Sequence, residues 1–284
     1  MTYQLFLLSL LLNLNTQVDG GWLMVGGMTP PGVIRHGIDK NQSLELALQS
    51  QYACVGRMSQ GYVTKGSCVL IRARVALTAA HTLTKLHPTL PLMAVFDSVE
   101  IKVDSFRIHP WYSKFPEADL AILYLSVPVK HIALPRLNRK KKELGHTGTT
   151  VGFGNFSVAN DPSHIVDAGR LKSAGQNILD SVAGSPLPDK NLPQLFADFD
   201  HPENPRFNRS GSADCLPLEY GLDGGDSGGG LFIVSKGKTL LAGINAIQNK
   251  NIADIIRTRS FYGSSSQWVR ISVFRKWIRS NSKQ

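Results

Sequence analysis

The chain has 284 residues, 42% of them hydrophobic, enough to bury a full core in one large domain or two small ones. Its net charge of +10 is compatible with acidic partners, glycans, membranes or nucleic acid, and equally with a plain solubilising surface. The one concentrated basic run, Arg139, Lys140, Lys141 and Lys142, has no interleaved aromatics, which argues for a solvated connector and against a nucleic-acid interface.

At the N-terminus, residues 5–14 form an apolar run of the length of a signal core, with Val18 and Gly20 at −3 and −1 of a cut after residue 20. The flank lacks Lys and Arg, and the run is short for a membrane anchor of about 20 residues. Residues 1–20 are therefore expected to be removed on export, giving a secreted (extracellular or periplasmic) protein with no later membrane span. Residues 21–33 read as a loose N-terminus or short pro-segment.

Short β segments follow at 53–58, 67–71 and 75–78, the last running into His81. Residues 95–108 alternate as a hairpin whose acids, Asp97, Glu100 and Asp104, read as its wet face rather than a calcium loop. Residues 121–125 are an apolar run bounded by Pro128, as in a buried strand, and the polar, basic stretch 126–150 suits a crossover. A strand at 149–154 opens the second half. Six prolines exclude regular helix from 184–224. Strands are expected at 231–234 and 239–247, and Ile271, Phe274, Trp277 and Ile278 mark the apolar face of a terminal helix. Glycines (26) and prolines (15) fit many short strands joined by tight turns.

There are three cysteines, Cys54, Cys68 and Cys215, so at least one lacks a partner within the chain. Cys54 and Cys68 are equidistant from Gly61. A hairpin centred there would oppose them within disulfide reach; the alternative is a pair of free, buried thiols. Histidines outside the motifs below have no metal-ligand spacing, and neither metal nor cofactor is expected. The triplets beginning at Asn41, Asn155 and Asn208 are glycosylation sequons, which act only in a eukaryotic secretory route.

The densest motif is Gly224-Gly225-Asp226-Ser227-Gly228-Gly229-Gly230. Upstream stand Leu77-Thr78-Ala79-Ala80-His81 and Asp119-Leu120-Ala121-Ile122, so the order is His, Asp, Ser. Together with His109-Pro110-Trp111-Tyr112, Val151-Gly152-Phe153-Gly154 and the terminal helix, the stretch 34–280 resembles the chymotrypsin-like (trypsin family) serine proteases. Residues 216–221 are more similar to bacterial-type secreted members. The resemblance implies an all-β fold: two six-stranded antiparallel β-barrels with the active site between them, plus a C-terminal helix. A protease domain at 34–284 would divide into barrels at about 34–137 and 138–284.

A free serine hydroxyl is a poor nucleophile and needs a base within hydrogen-bond reach. The resemblance implies that Ser227 attacks, His81 carries the proton, and Asp119 holds the imidazole tautomer. The N–H groups of Gly225 and Ser227 would form the oxyanion hole, in a turn whose backbone favours glycine. Asp226 would order that loop by pairing with a new N-terminal amine. No basic residue followed by Ile-Val-Gly-Gly exists, so a cut near Val33–Ile34 that frees the Ile34 amine competes with an uncleaved chain and another partner for Asp226. Thr82 and Asp223 stand where many members have cysteines, so two usual bridges are absent. Gly221, six residues before the nucleophile, with Gln248 and Ser266 would line a specificity pocket without a fixed negative charge, suited to small or medium side chains. The implied function is a secreted serine endopeptidase acting on proteins or peptides. The alternatives are a processing protease for one partner, and a weak or inactive binding protein on a protease scaffold.

Overall fold

The computed structural model describes residues 32–159, 167–168, 171–249 and 261–283. The expected export segment and all but two residues of 21–33 lie outside them. In chain order the strands are β1 (Gly32–Ile34), β2 (Val55–Gln60), β3 (Val63–Arg72), β4 (Val75–Thr78), β5 (Met93–Phe96), β6 (Val99–Ile108), β7 (Ala121–Leu125), β8 (Arg136–Leu137) and β9 (Thr147–Gly152). They continue with β10 (Asn155–Val158), β11 (Asp167–Ala168), β12 (Ser173–Ile178), β13 (Ser181–Ala183), β14 (Gln194–Asp198), β15 (Tyr220–Gly221), β16 (Gly230–Ser235), β17 (Lys238–Asn249) and β18 (Ser265–Arg270). Two helices are described, α1 (Lys40–Ala47) and α2 (Ile271–Asn281).

The first sheet closes as a barrel in the order β2-β3-β4-β7-β6-β5. The apolar runs expected to be buried strands are its centre. Val75, Ala76 and Leu77 of β4 lie against Ala121, Ile122 and Leu123 of β7, all without solvent exposure. Each fully buried Leu, Ile or Val contributes about 1.5–3 kcal/mol. β5 and β6 turn at Asp97 and Ser98, with φ 46° and 65°, the left-handed pair that a tight hairpin of matching twist requires. Asp97, Glu100 and Asp104 are exposed, as a wet face should be.

The second sheet is curled rather than closed among the described residues. Its order is β12-β9-β16-β17-β18-β14-β13, with β8 beside β17. β14 lies within the proline-rich stretch and was not apparent from sequence, because prolines on both sides hide its five residues. A four-stranded sheet, β11-β10-β1-β15, runs alongside.

No disulfide forms, and Cys54, Cys68 and Cys215 are free. The β2–β3 hairpin turns between Gly61 and Tyr62, with Gln60 opposite Val63, and a bulge between Met58 and Ser59 shifts the register by one more residue, so Cys68 lies opposite Gly56. Cys54 instead accepts, through its carbonyl, from the Leu70 N–H at 2.8 Å. Burial pushes the Cys54 thiol up to about 12 and also raises that of Cys68, leaving both as inert packing groups.

The two ends of the chain are exchanged between the halves. β1 pairs with β10 and β15 of the second half. α1 starts at Asp39, whose Oδ1 accepts from the Asn41 N–H at 2.9 Å, and Ser43 Oγ donates to the Ala174 carbonyl of β12 at 2.5 Å. This helix had no strong periodic signal. α2 buries Ile271, Phe274 and Ile278, the expected face, and returns to the first barrel. There Tyr124 Oη donates to the Asn281 carbonyl at 2.9 Å, and Arg72 Nε to Ser282 Oγ at 3.2 Å. The crossover is pinned by Glu143, fully buried behind the exposed basic run. It accepts from Arg270 at 2.6 Å, Ser272 Oγ at 2.7 Å and Asn138 Nδ2 at 3.0 Å.

His109 joins α2 to the barrel. Its ring packs edge-on against Trp111, Phe274 and Trp277, with centroids 5.3, 4.9 and 4.7 Å away, while Nδ1 accepts from the Trp111 N–H at 3.2 Å. Burial lowers its pKa to about 4. The unfolded chain takes up this proton near pH 6.5, so the neutral ring's contribution is complete above about 6.5 and is lost as pH falls towards 4. Buried carboxyls elsewhere slope the other way, so the comparison is with His109→Asn, which keeps a capping acceptor. Urea unfolding between pH 8 and 4 should show the wild type losing stability relative to the variant below about pH 6.5.

Candidate active site

Register brings the first two residues together. Thr78 of β4 pairs with Ala121 of β7. Three residues beyond Thr78, in a short 3-10 turn (Ala80–Leu83), stands His81; two residues before Ala121 stands Asp119. Asp119 Oδ1 accepts from the His81 backbone N–H at 2.8 Å, and Oδ2 lies 2.5 Å from His81 Nδ1. A carboxylate only accepts here, so the proton sits on Nδ1 and Nε2 is left as the acceptor. The Asp119 side chain is 3% exposed and that of His81 33%, so the ring bridges a buried anion and the open cleft. The Asp119 charge, after burial, also raises the Tyr112 phenol pKa.

Ser227 lies on the turn between β15 and β16. The turn's N–H groups are nearly all engaged. Asp226 N–H donates to Asp223 O at 3.0 Å, Gly228 N–H to Asn245 O at 2.8 Å and Gly229 N–H to Asp226 O at 2.8 Å. Gly224 N–H donates to Asp223 Oδ1 at 2.5 Å, and Asp223 N–H to Asp226 Oδ2 at 3.1 Å. Among the described residues, the N–H groups of Gly225 and Ser227 donate to nothing in the protein. Gly225 has φ +98°, which lets the chain reverse without strain. Ser227 Oγ donates to the Ala246 carbonyl at 3.4 Å and not to His81.

Two residues that the sequence did not single out hold this turn. Ser67 of β3, fully buried, donates its N–H to Ser227 O and its Oγ to Gly225 O, both at 2.8 Å. Its Oγ also accepts from the Phe153 N–H at 2.9 Å, and its carbonyl from Thr78 Oγ1 at 2.8 Å. One serine thus ties the first barrel to both sides of the turn. Nothing in the sequence marks it apart from the apolar run it begins. Asn245 of β17 lies beneath the turn, where Nδ2 donates to Asp226 O at 3.1 Å and Val151 O at 3.2 Å. Thr82, at the site of an expected but missing cysteine, faces Gly66: a Cβ on Gly66 would lie 3.1 Å from the Thr82 methyl and 2.7 Å from Ser227 O.

The three residues expected to line a specificity pocket lie on β15, β17 and β18. Gly221 is buried in β15, its neighbour Leu222 donates N–H to Ser266 Oγ at 3.1 Å, and Gln248 is the backbone partner of Ser266 across β17–β18. Of the two alternatives for Asp226, the full chain offers the internal one: residues 33 and 34 lie within β1, and the carboxylate finds its partners inside the fold. Oδ1 accepts from the Gly154 N–H at 2.9 Å and Oδ2 from Tyr220 Oη at 2.8 Å. Asp226 is wholly buried, and that burial pushes its carboxyl up to about 7.

Gly228 tests how tightly the halves meet. Its φ is +89°, and a Cβ there would overlap the Ser67 carbonyl and Thr78 Oγ1. Gly228→Ala should lower unfolding stability by about 3 kcal/mol in urea titrations. Gly237→Ala, with φ +69° and no atom within 4 Å of its Cβ, should lose about 1 kcal/mol.

No family model matches the chain, and neither does any curated protein sequence. Among solved structures it is similar to neuropsin, a serine protease expressed in the limbic system of mouse brain. The identity is 18% and the TM-score 0.54, over 80% of this chain and 93% of that one. A closed six-stranded barrel, a curled seven-stranded sheet and a C-terminal helix, with His81 and Asp119 on one side and Ser227 on the other, give this chain the chymotrypsin-like serine protease fold.

Proposed function

We propose that the protein is a serine endopeptidase that cleaves protein or peptide substrates through an acyl-enzyme. One observation carries the reading: among the described residues, the two N–H groups left unclaimed in the Ser227 turn are those of Gly225 and Ser227, in a chain whose other half holds an Asp119-anchored imidazole. In this mechanism Ser227 Oγ leaves the Ala246 carbonyl by rotation about χ1 and attacks the scissile carbonyl carbon. His81 Nε2 takes the hydroxyl proton and returns it to the leaving amine. Asp119 keeps the proton on Nδ1 and stabilises the imidazolium. The Gly225 and Ser227 N–H groups take the developing oxyanion, each worth about 3–4 kcal/mol of transition-state stabilisation. Water then repeats the sequence on the acyl-enzyme. Export completes the proposal, supported by the apolar run 5–14 with Val18 and Gly20 before the cut.

The Ser227 rotamer favours a second reading, a binding protein on this scaffold, because a hydroxyl committed to Ala246 is not activated. Reaction with a fluorophosphonate separates the two. Wild-type protein should be labelled at Ser227. Ser227→Ala should lose labelling and at least about 10³-fold of peptide hydrolysis while its melting temperature stays within a few degrees. Unlabelled wild type with a normal melt would favour the binder.

For specificity, Gly221 supplies no charge, and Glu219 is committed elsewhere: it accepts from Leu216 N–H and Asn177 Nδ2, each at 2.8 Å. Cleavage after Lys or Arg should exceed cleavage after small or apolar residues by no more than about tenfold, or about 1.4 kcal/mol. A peptide-library profile restricted to Lys and Arg would contradict this pocket.

A further inference from the structure

We propose that the Tyr220 hydroxyl takes the place of a cleavage-generated amine as the partner of Asp226, so that the chain is catalytically competent with the Val33–Ile34 bond intact and Tyr220 is a positioning residue. This rests on the protease reading above. A wholly buried carboxylate is costly unless its oxygens are hydrogen-bonded. Here three donors meet it: Gly154 N–H on Oδ1, and Tyr220 Oη and Asp223 N–H on Oδ2. The carboxylate fills its cradle. Cβ atoms added to Gly152 or Gly154 would collide with it, the latter at 2.5 Å.

Tyr220 is held as rigidly as the group it serves. It is 1% exposed. Its ring lies against Gly175, where any Cβ would overlap it, and its carbonyl accepts from Asn177 Nδ2 at 2.8 Å. Ser173 Oγ, 3.3 Å from Oη, is placed to donate to it, leaving the Tyr220 proton directed at Asp226. Burial first, then the Asp226 charge, holds the phenol well above its usual range, so it remains a donor at all working pH values.

The strand β1 is part of this support. Ile34 and Tyr220 are register partners in β1 and β15. The Ile34 carbonyl accepts from Ala159 N–H at 2.7 Å, and Arg35 N–H donates to Glu219 O at 3.2 Å. Ile34 itself is fully buried in a cluster with Tyr220 and Leu222. Cutting at Val33–Ile34 would break the strand that holds Tyr220. With Asp226 fixed, its N–H closes on Asp223 O and its carbonyl on Gly229 and Asn245, the arrangement that leaves Gly225 and Ser227 N–H unclaimed.

The test labels purified wild-type protein with a fluorophosphonate and maps the labelled species by mass spectrometry. A labelled chain continuous across residues 32–36 is expected. Labelling confined to chains that begin at or beside Ile34 overturns the proposal. If intact protein fails to label but protein nicked at Val33–Ile34 by limited proteolysis does label, the protease reading stands and the Tyr220 assignment falls. If neither labels, both fall. Tyr220→Phe, with its melting temperature as control, should lower kcat about tenfold or more with KM within about twofold. It should weaken a peptide boronate, which binds through the oxyanion site, by the same factor. Wild-type kcat in Tyr220→Phe overturns the assignment; should that variant fail to fold, the peptide map of the wild type decides.

Discussion

A carboxylate with no access to water stands one residue before Ser227, and much of the second half is arranged around it. Asp226 cannot be screened by solvent, so each oxygen must meet a donor. Gly152 and Gly154 keep their flank open for it, Tyr220 and the Gly154 amide supply hydrogens, and Asn245 grips its backbone from below. The position of Tyr220 in turn depends on β1 and β12. The shape of the Ser227 turn is thus set by groups that never approach a substrate.

Several polar contacts join the halves. Ser67 engages Ser227, Gly225, Phe153 and Thr78 at once, so one residue links the β4–β7 edge to the Ser227 turn. Gly66 and Thr82 bring the backbones close where a larger pair would hold them apart. Shape, rather than a covalent bridge, sets how the two halves meet beside the Ser227 turn.

The sequence was most legible where one short-range rule dominates. The β4 and β7 strands, the alternation across 95–108 and the apolar face of α2 each follow from an apolar run or period. His81, Asp119 and Ser227 were legible within motifs, and strand register accounts for the His81–Asp119 contact. Long-range consequences were not legible. A turn centred half a residue past Gly61 and a bulge between Met58 and Ser59 together moved Cys68 off Cys54, because counting from Gly61 assumes both that centre and an unbroken ladder. Tyr220, Ser67 and Asn245 carry no local signal: each is an ordinary strand residue whose importance comes from a partner many positions away. Glu143 was hidden for the same reason, since its Arg270 partner lies 127 positions on.

The exchange of chain ends has a mechanical meaning. β1 and α1 leave the first barrel to clasp the second sheet, and α2 returns from the second sheet to clasp the first barrel. Two straps of opposite direction lock the pair, so the halves cannot swing apart on a hinge without peeling one terminus from a buried seat. Opening of the cleft is thereby coupled to loss of the whole native state instead of to a low-energy local fluctuation.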